Sequence, residues 1–82
     1  MNKSLRHEDS IRQILKKIRP DIELEEDTKL IDENIIDSVD VIEIVVHLEK
    51  HFSINIDPEN IEPRHFQSIT TLSNLVDHYI ND

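Results

Sequence analysis

One serine of the chain is better placed to be modified than to attack a substrate. The stretch Ile35-Ile36-Asp37-Ser38-Val39-Asp40 lies where a long acidic connection meets a strongly amphipathic segment. Ser38 is a favoured residue for a helix N-cap, so we expect its hydroxyl at the exposed start of a helix. Asp37 and Asp40 flank this serine, and no neighbouring base would activate it as a nucleophile. We therefore interpret Ser38 as a residue that is modified and assign no catalytic residue.

The segment that follows predicts a helix from Ser38 to about His51 with two apolar stripes. The stripe expected to be buried repeats at helical spacing and comprises Val41, Ile44, Val45, Leu48 and Phe52. A smaller apolar set is displaced from it and comprises Val39, Ile42 and Val46. Burying both stripes would take most of the helix circumference. We therefore expect the smaller set to be partly exposed and to form a contact surface.

Two further amphipathic patterns predict helices on either side of this one. The first has Leu5, Ile11, Ile14, Leu15 and Ile18 as its apolar stripe, with a start near Asp9 or Ser10 and an end at Pro20. The last is predicted to begin at Thr70 as its N-cap, with its stripe at Leu72, Leu75, Val76, Tyr79 and Ile80. A single helical turn is predicted at Pro58 to Ile61, and Pro63 limits it.

The connection from Asp21 to Asp37 is long for so small a domain and carries isolated apolar residues, so we expect it to wrap over the core. Asn34 is a natural residue for a left-handed turn in a chain without glycine. The predicted architecture is a single domain over residues 1–82. It is an all-α, four-helix bundle with three main helices, a short third helix and a long first loop.

The composition limits the partners that the protein can have. Its 82 residues include no cysteine and have a formal net charge of −9. Such a field repels nucleic acids and anionic membranes and favours partners with basic surfaces. The first ten residues are polar, and no apolar run approaches the ~20 residues of a membrane span. We therefore expect a cytoplasmic protein without a nucleic-acid or membrane partner.

Two patterns that could suggest a metal site are rejected. His47 and His51 have the i, i+4 spacing of a zinc-binding pair, but Glu49 is not adjacent to His47 and no third ligand is evident. The acidic stretch from Asp32 to Asp40 lacks the glycine and the alternating ligands of a calcium loop. No metal ligand is assigned.

Order and spacing across nearly the whole chain resemble those of the acyl carrier protein family. The resemblance is most specific at Asp37-Ser38-Val39, which is similar to the family's Asp-Ser-Leu attachment signature. It continues through Ile42-Glu43-Ile44-Val45 and Leu48-Glu49-Lys50-His51-Phe52. Its later residues are Ile54, Ile56, Pro58, Phe66 and Ile69-Thr70-Thr71-Leu72. The first helix is similar only in being amphipathic.

This resemblance implies a carrier that holds acyl groups as thioesters on a 4′-phosphopantetheine arm attached to Ser38. A phosphopantetheinyl transferase would take the arm from coenzyme A, with Mg²⁺ needed only during loading. The resemblance also implies that four carboxylates face basic grooves on acyl-loading and acyl-transfer enzymes: Asp37, Asp40, Glu43 and Glu49. The apolar contacts between them would come from Val39, Ile42 and Val46. Lysine at position 40 or 43 should slow transfer and leave the fold intact. We expect a monomer.

Three departures from the family's pattern leave the pathway open. Asn34 stands where glycine is frequent, Val39 stands where leucine is usual, and Pro63-Arg64-His65-Phe66 lengthens the segment before the last helix. The main hypothesis is an acyl carrier of a fatty-acid-like or polyketide-like pathway. An aminoacyl carrier, of peptidyl or D-alanyl type, is the first alternative. An unmodified acidic adaptor for protein binding is the second, and an enzyme is the least favoured class.

Overall fold

The computed structural model describes residues 3–25 and 27–80, with side chains in the first helix described from His7 onward. Three α-helices follow one another as α1 (Lys3–Ile18), α2 (Ser38–Phe52) and α3 (Ile69–Ile80). Two 3₁₀ turns, Pro58–Asn60 and Pro63–His65, lie between α2 and α3. Residues 3–25 and 27–80 contain no β-strand. The expected all-α bundle is confirmed, although its short third helix consists of these single turns.

The three helices enclose one hydrophobic core. Helix α1 packs against both α2 and α3, and α2 contacts α3 less extensively. The buried apolar side chains are Ile11, Ile14, Leu15, Leu30, Ile36, Ile44, Val45, Leu48, Ile56, Phe66, Ile69, Leu72, Leu75 and Val76. The predicted stripes of all three helices thus supply most of the core, while the predicted stripe member Leu5 lies outside the described side chains. None of the described helices combines the length and apolar character that crossing a membrane requires.

The long link between α1 and α2 wraps over the core as expected. Leu30 and Ile36 are buried in it, and the backbone N–H of Leu30 donates to the carbonyl of Gln67, 2.7 Å away. The amide oxygen of Gln67 accepts two further bonds at 3.1 Å, from the backbone N–H groups of Ile31 and Asp32. Asn34 has φ of 57°, which confirms the left-handed turn. This link carries the chain into α2, so these bonds set the approach to Ser38.

Two predicted helix starts were wrong. Helix α1 begins at Lys3 rather than near Asp9, because the residues before Asp9 include neither glycine nor proline to stop it. Helix α3 begins at Ile69, and the residue before it caps it instead of Thr70. The Ser68 hydroxyl accepts from the backbone N–H of Thr71 at 3.1 Å, and the Thr71 hydroxyl accepts from that of Ser68 at 3.0 Å. This reciprocal pair needs a side-chain oxygen three residues after the cap, which Thr71 supplies.

Candidate functional site

Ser38 is the first residue of α2, and Asp37 is its N-cap. The predicted cap was Ser38, so the helix begins one residue earlier in the chain than that cap implied. The Asp37 carboxylate accepts from the backbone N–H of Asp40 at 2.9 Å, and the Asp40 carboxylate accepts from that of Asp37 at 3.1 Å. Had Ser38 been the cap, Val41 would stand three residues on, without an oxygen to complete the pair. Ser38 itself remains exposed.

The carboxylate of the N-cap residue Asp37 satisfies one backbone N–H group in the first turn of α2. The N–H of Asp40 is bound to Asp37 and is therefore not free to bind an anion. This bond keeps the pKa of the Asp37 carboxyl below its ordinary value, and the positive charge of Arg19 acts in the same direction. Asp37 is therefore ionised at neutral pH, and its cap holds the turn that presents Ser38.

Asp40 is buried, which corrects the expectation that its carboxylate faces partner proteins. Only 7% of the residue is exposed. Its Oδ2 atom lies 2.6 Å from Nη2 and 3.2 Å from Nε of Arg19, so two N–H groups of the guanidinium converge on one oxygen. The hydrogen bond and the charge of Asp40 raise the pKa of Arg19 above its ordinary value. Asp40 thus binds inside the protein, and lysine there is expected to destabilise the fold.

Arg19 is the residue of this site that sequence reasoning missed. It follows the last residue of α1, immediately before Pro20. The available signal was Arg19 as the last cation ahead of an acidic stretch, since residues 21–28 contain no basic residue. That signal does not say which of the nearby carboxylates the cation binds, because the partner lies 21 positions further along the chain.

The remaining predicted contact residues divide between an exposed face and an internal contact. Val39 and Ile42 are each 64% exposed and Val46 is 43% exposed, as expected for the displaced stripe, and Glu43 is exposed on the same helix. Glu49 is half-buried, and its Oε2 accepts from the backbone N–H of Ile56 at 2.9 Å. The predicted partner contact of Glu49 therefore competes with a bond that holds the segment after α2.

A groove of about 510 Å³ opens beside Ser38. This volume is within the range of about 300–1,000 Å³ found for small-molecule sites. Most of its lining is apolar, and only four of its ten lining residues are polar. The ten residues are Ile31, Asn34, Ile36, Asp37, Ser38, Val41, Ile42, Ile61, Glu62 and Pro63. The groove lies between the start of α2, the link before it and the segment from Ile61 to Pro63. An apolar group joined to Ser38 could occupy it.

The five histidines have their described contacts away from Ser38. Nδ1 of His47 donates to the carbonyl of Glu43 over 2.8 Å. His7 and His51 contact the ring of Phe52, with ring centroids 5.5 and 4.8 Å apart. His65 lies 3.9 Å from a carboxylate oxygen of Glu62, and the ring of His78 lies against Tyr79. Within residues 3–25 and 27–80, no group of three or more potential ligands is arranged to hold a metal ion.

The site fits a covalently attached anionic group. An exposed hydroxyl on the first residue of a helix is accessible to another enzyme, and the positive end of the helix dipole favours a phosphodiester there. The flanking carboxylate of Asp37 opposes that charge, so the covalent bond rather than a charged pocket would retain the group. Ser38 would hold it, and the apolar groove would accept what it carries.

An all-helical bundle that presents an exposed serine at the start of its second main helix is the arrangement of a carrier domain. A family model described as the phosphopantetheine attachment site matches residues 9–79, and the chain belongs to this family as a domain of the acyl-carrier type. Comparison with curated proteins and with solved structures gives no match. Membership implies a covalently attached 4′-phosphopantetheine group. Carrier domains of this family are generally not catalytic, and they interact with a phosphopantetheinyl transferase and with partner enzymes.

Proposed function

We propose that Ser38 is the attachment residue and that the protein carries acyl intermediates of a fatty-acid-like or polyketide-like pathway. The observation that supports this most is the position of Ser38, exposed on the first residue of α2 and lining a mostly apolar groove. When attached, the arm supplies a terminal thiol that holds the acyl group as a thioester. The protein's own residues then orient that cargo and present it to other enzymes.

Loading requires one displacement at phosphorus. The Oγ atom of Ser38 attacks the phosphorus of coenzyme A that bears the pantetheine group, and a new P–O bond forms. The bond to the other phosphate of the diphosphate breaks, and adenosine 3′,5′-bisphosphate leaves. Mg²⁺ neutralises the diphosphate during this step. The hydroxyl proton passes to a base of the transferase or to water, since the contacts described for the protein's histidines lie elsewhere.

The groove favours an apolar cargo over a charged one. Ile36, Ile42 and Ile61 contribute apolar surface to it, and burial of such surface stabilises by about 25 cal/mol per Å². The inner stripe of α2 is not available for this purpose. Ile44, Val45 and Leu48 are already packed in the core. An acyl chain would therefore lie beside α2, next to Ser38.

The exposed face of α2 is the proposed docking surface for partner enzymes. Val39, Ile42 and Val46 supply its apolar contacts. Asp37, the N-cap of α2, and Glu43, in its second turn, are exposed carboxylates that would meet basic residues of the partner. Asp40 and Glu49 contribute to this surface indirectly, because their carboxylates are bound within the protein.

An aminoacyl cargo remains the second candidate, and one observation favours it. Two carboxylates, Asp37 and Glu62, line the groove and could pair with a free ammonium group. Loading the protein from acyl- or alanyl-coenzyme A with a permissive transferase would give both forms for NMR. An acyl cargo should shift the methyl signals of Ile36, Ile42 and Ile61. An aminoacyl cargo should instead perturb the signals of Asp37 and Glu62.

The decisive test of the attachment is intact mass after incubation with coenzyme A, Mg²⁺ and a phosphopantetheinyl transferase. We expect one adduct on the wild type and none on Ser38→Ala. Ser53→Gly is the matched control, because Ser53 is also exposed and its φ of 56° suits glycine, so this variant should be loaded normally. No adduct on folded wild type with more than one transferase would favour an unmodified adaptor.

A further inference from the structure

Arg19 connects the end of α1 to the turn that carries Ser38. Its guanidinium donates to Oδ2 of Asp40 from Nη2 at 2.6 Å and from Nε at 3.2 Å. The same oxygen accepts the backbone N–H of Asp37 at 3.1 Å. One buried carboxylate oxygen therefore joins Arg19, just after the first helix, to the backbone of Asp37, the residue before Ser38.

We infer that Arg19 is a positioning residue for the modification of Ser38: through Asp40 it fixes the first turn of α2 relative to the rest of the bundle. This inference rests on the proposed attachment at Ser38. Arg19 does not touch the reacting atoms in this proposal. It determines where the Ser38 hydroxyl is held when a transferase docks.

The burial of Asp40 explains why this contact matters more than an ordinary surface ion pair. Exposed pairs contribute little because water already solvates both charges. Asp40 is 7% exposed, so without Arg19 its charge would be buried beside the ionised Asp37. The turn would then have to open to hydrate Asp40, and opening it breaks the reciprocal bonds between Asp37 and Asp40.

Replacing Arg19 distinguishes two possible roles of the ion pair, attraction of a partner and positioning of the turn, which substitution of Asp40 alone would not distinguish. If Asp40 acted by attracting basic partners, removing Arg19 would uncover its charge and strengthen docking, which would lower KM. If Arg19 positions the turn, removing it leaves the docking residues beyond that turn, Ile42, Glu43 and Val46, in place and misplaces the hydroxyl. In that case kcat falls and KM changes little.

Steady-state kinetics of loading, with coenzyme A and Mg²⁺ and with the carrier as the varied substrate, distinguish these roles. We expect Arg19→Met to lower kcat on the order of tenfold with KM within about twofold, since small misplacements reduce rates steeply. Arg19→Lys should recover part of the loss, because it keeps the charge but not the two converging N–H groups. Lys17→Met is the matched control: Lys17 is an exposed cation in the same helix end, and its removal should change neither constant.

A double-mutant cycle tests whether Arg19 acts through Asp40. Asp40→Asn keeps an oxygen for the backbone N–H of Asp37 but removes the charge. If the two residues act as one unit, Arg19→Met combined with Asp40→Asn should be no slower than the slower single variant. All rates are measured at a temperature at which circular dichroism shows every variant fully folded. If Arg19→Met does not fold, the comparison of Arg19→Lys with Lys17→Met carries the test.

The failures of the inference and of the proposed function are distinct. Wild type that is loaded normally, with Arg19→Met or Arg19→Lys matching Lys17→Met in kcat, would overturn the positioning role while leaving the attachment at Ser38 intact. A lower KM with unchanged kcat in Arg19→Met would overturn it in favour of electrostatic docking. Absence of any adduct on wild type would instead refute the attachment. Faster hydrogen exchange at the amide of Asp40 in Arg19→Met, and not in Lys17→Met, would give independent support.

Discussion

The hydroxyl of Tyr79, in the last turn of α3, accepts a hydrogen bond of 2.6 Å from the side-chain amide of Asn60. It also accepts one of 2.9 Å from the backbone N–H of Asp57. The 3₁₀ turn between these two residues leads directly into Ile61 and Glu62, which line the groove beside Ser38. Helix α3 therefore supports one wall of the groove without lining it.

Tyr79→Phe should loosen this wall and leave the attachment residue unaffected. Loss of the hydroxyl removes both hydrogen bonds, and water replaces part of them, so the free energy of unfolding should fall by about 1 kcal/mol. Urea denaturation would measure this loss, and hydrogen exchange at the amide of Ile61 should become faster. An unchanged urea midpoint would show that water fully replaces the hydroxyl. Loading at Ser38 serves as the control and should remain normal.

Asp37→Asn should reduce stability at neutral pH and have less effect in acid. The folded-state pKa of Asp37 lies below its unfolded value, because the N–H of Asp40 stabilises the charged form. Its charge therefore contributes stability above the unfolded pKa of about 3.9, and this contribution is lost as the pH falls through the folded pKa. Asparagine also caps helices, so the variant removes mainly the charge.

The test is to compare the urea midpoints of wild type and Asp37→Asn at pH 7, 5 and 3. The difference between them should be largest at pH 7 and should shrink toward pH 3. Asp57→Asn is the control, since Asp57 precedes a 3₁₀ turn without a side-chain cap bond. A wild-type advantage over Asp37→Asn that grows in acid would contradict the sign of the pKa shift.

Lysine at position 40 should reduce stability, whereas lysine at position 43 should weaken docking. Asp40→Lys places a second cation against Arg19 in a buried position, and we expect the melting temperature to fall by roughly 10 °C. Glu43→Lys changes an exposed residue, so the melting temperature should stay close to that of wild type. In Glu43→Lys the KM for loading should rise several-fold at low salt, and the difference should shrink as salt screens the charges.

Thermal melts and loading kinetics at two salt concentrations would measure both variants. A stable Asp40→Lys protein would show that the Arg19 contact is weak. Equal KM values for Glu43→Lys and wild type at low salt would remove Glu43 from the docking surface.

Val39→Ser should weaken partner docking at little cost in stability. Val39 is well exposed at the start of α2, so the free energy of unfolding should change by about 0.5 kcal/mol or less. If its side chain contacts the transferase, KM should rise several-fold while kcat is kept. Ile80 is an exposed apolar residue of α3, so Ile80→Ser is the matched control and should leave KM unchanged. Equal KM values for Val39→Ser and Ile80→Ser would contradict the proposed surface.

Features that depend on periodicity were predictable from the sequence. The spacing of Ile44, Val45 and Leu48 identified the buried stripe of α2, and Val39 and Ile42 were correctly separated as an exposed set. The same reasoning predicted a link that wraps over the core, because isolated apolar residues in a long loop need a surface to cover. These predictions require only knowledge of which side of an element is apolar.

Features that depend on a choice between similar residues were not predictable in the same way. Asp37 and Ser38 are both favoured caps, and only the reciprocal bond with Asp40 selects Asp37. The buried charge of Asp40 is paired with Arg19, which directly follows another helix and is separated from Asp40 by the long link. Several carboxylates compete for that cation in the sequence, and only the packing of α1 against α2 decides among them.

Gln67 holds together two parts of the chain that lie on either side of α2 in the sequence. Its main-chain carbonyl accepts the backbone N–H of Leu30, so the link before α2 is joined to the chain just before α3. Residues 30–67 thus form one continuous segment whose two ends are hydrogen-bonded to each other, and this segment contains α2, Ser38 and the groove wall. Such a segment could be exchanged between carriers as a module, provided that the new chain keeps an amide side chain at the closing position. Without that amide, the backbone N–H groups of Ile31 and Asp32 would lose their acceptor. The two ends of the exchanged segment would then be held together less firmly.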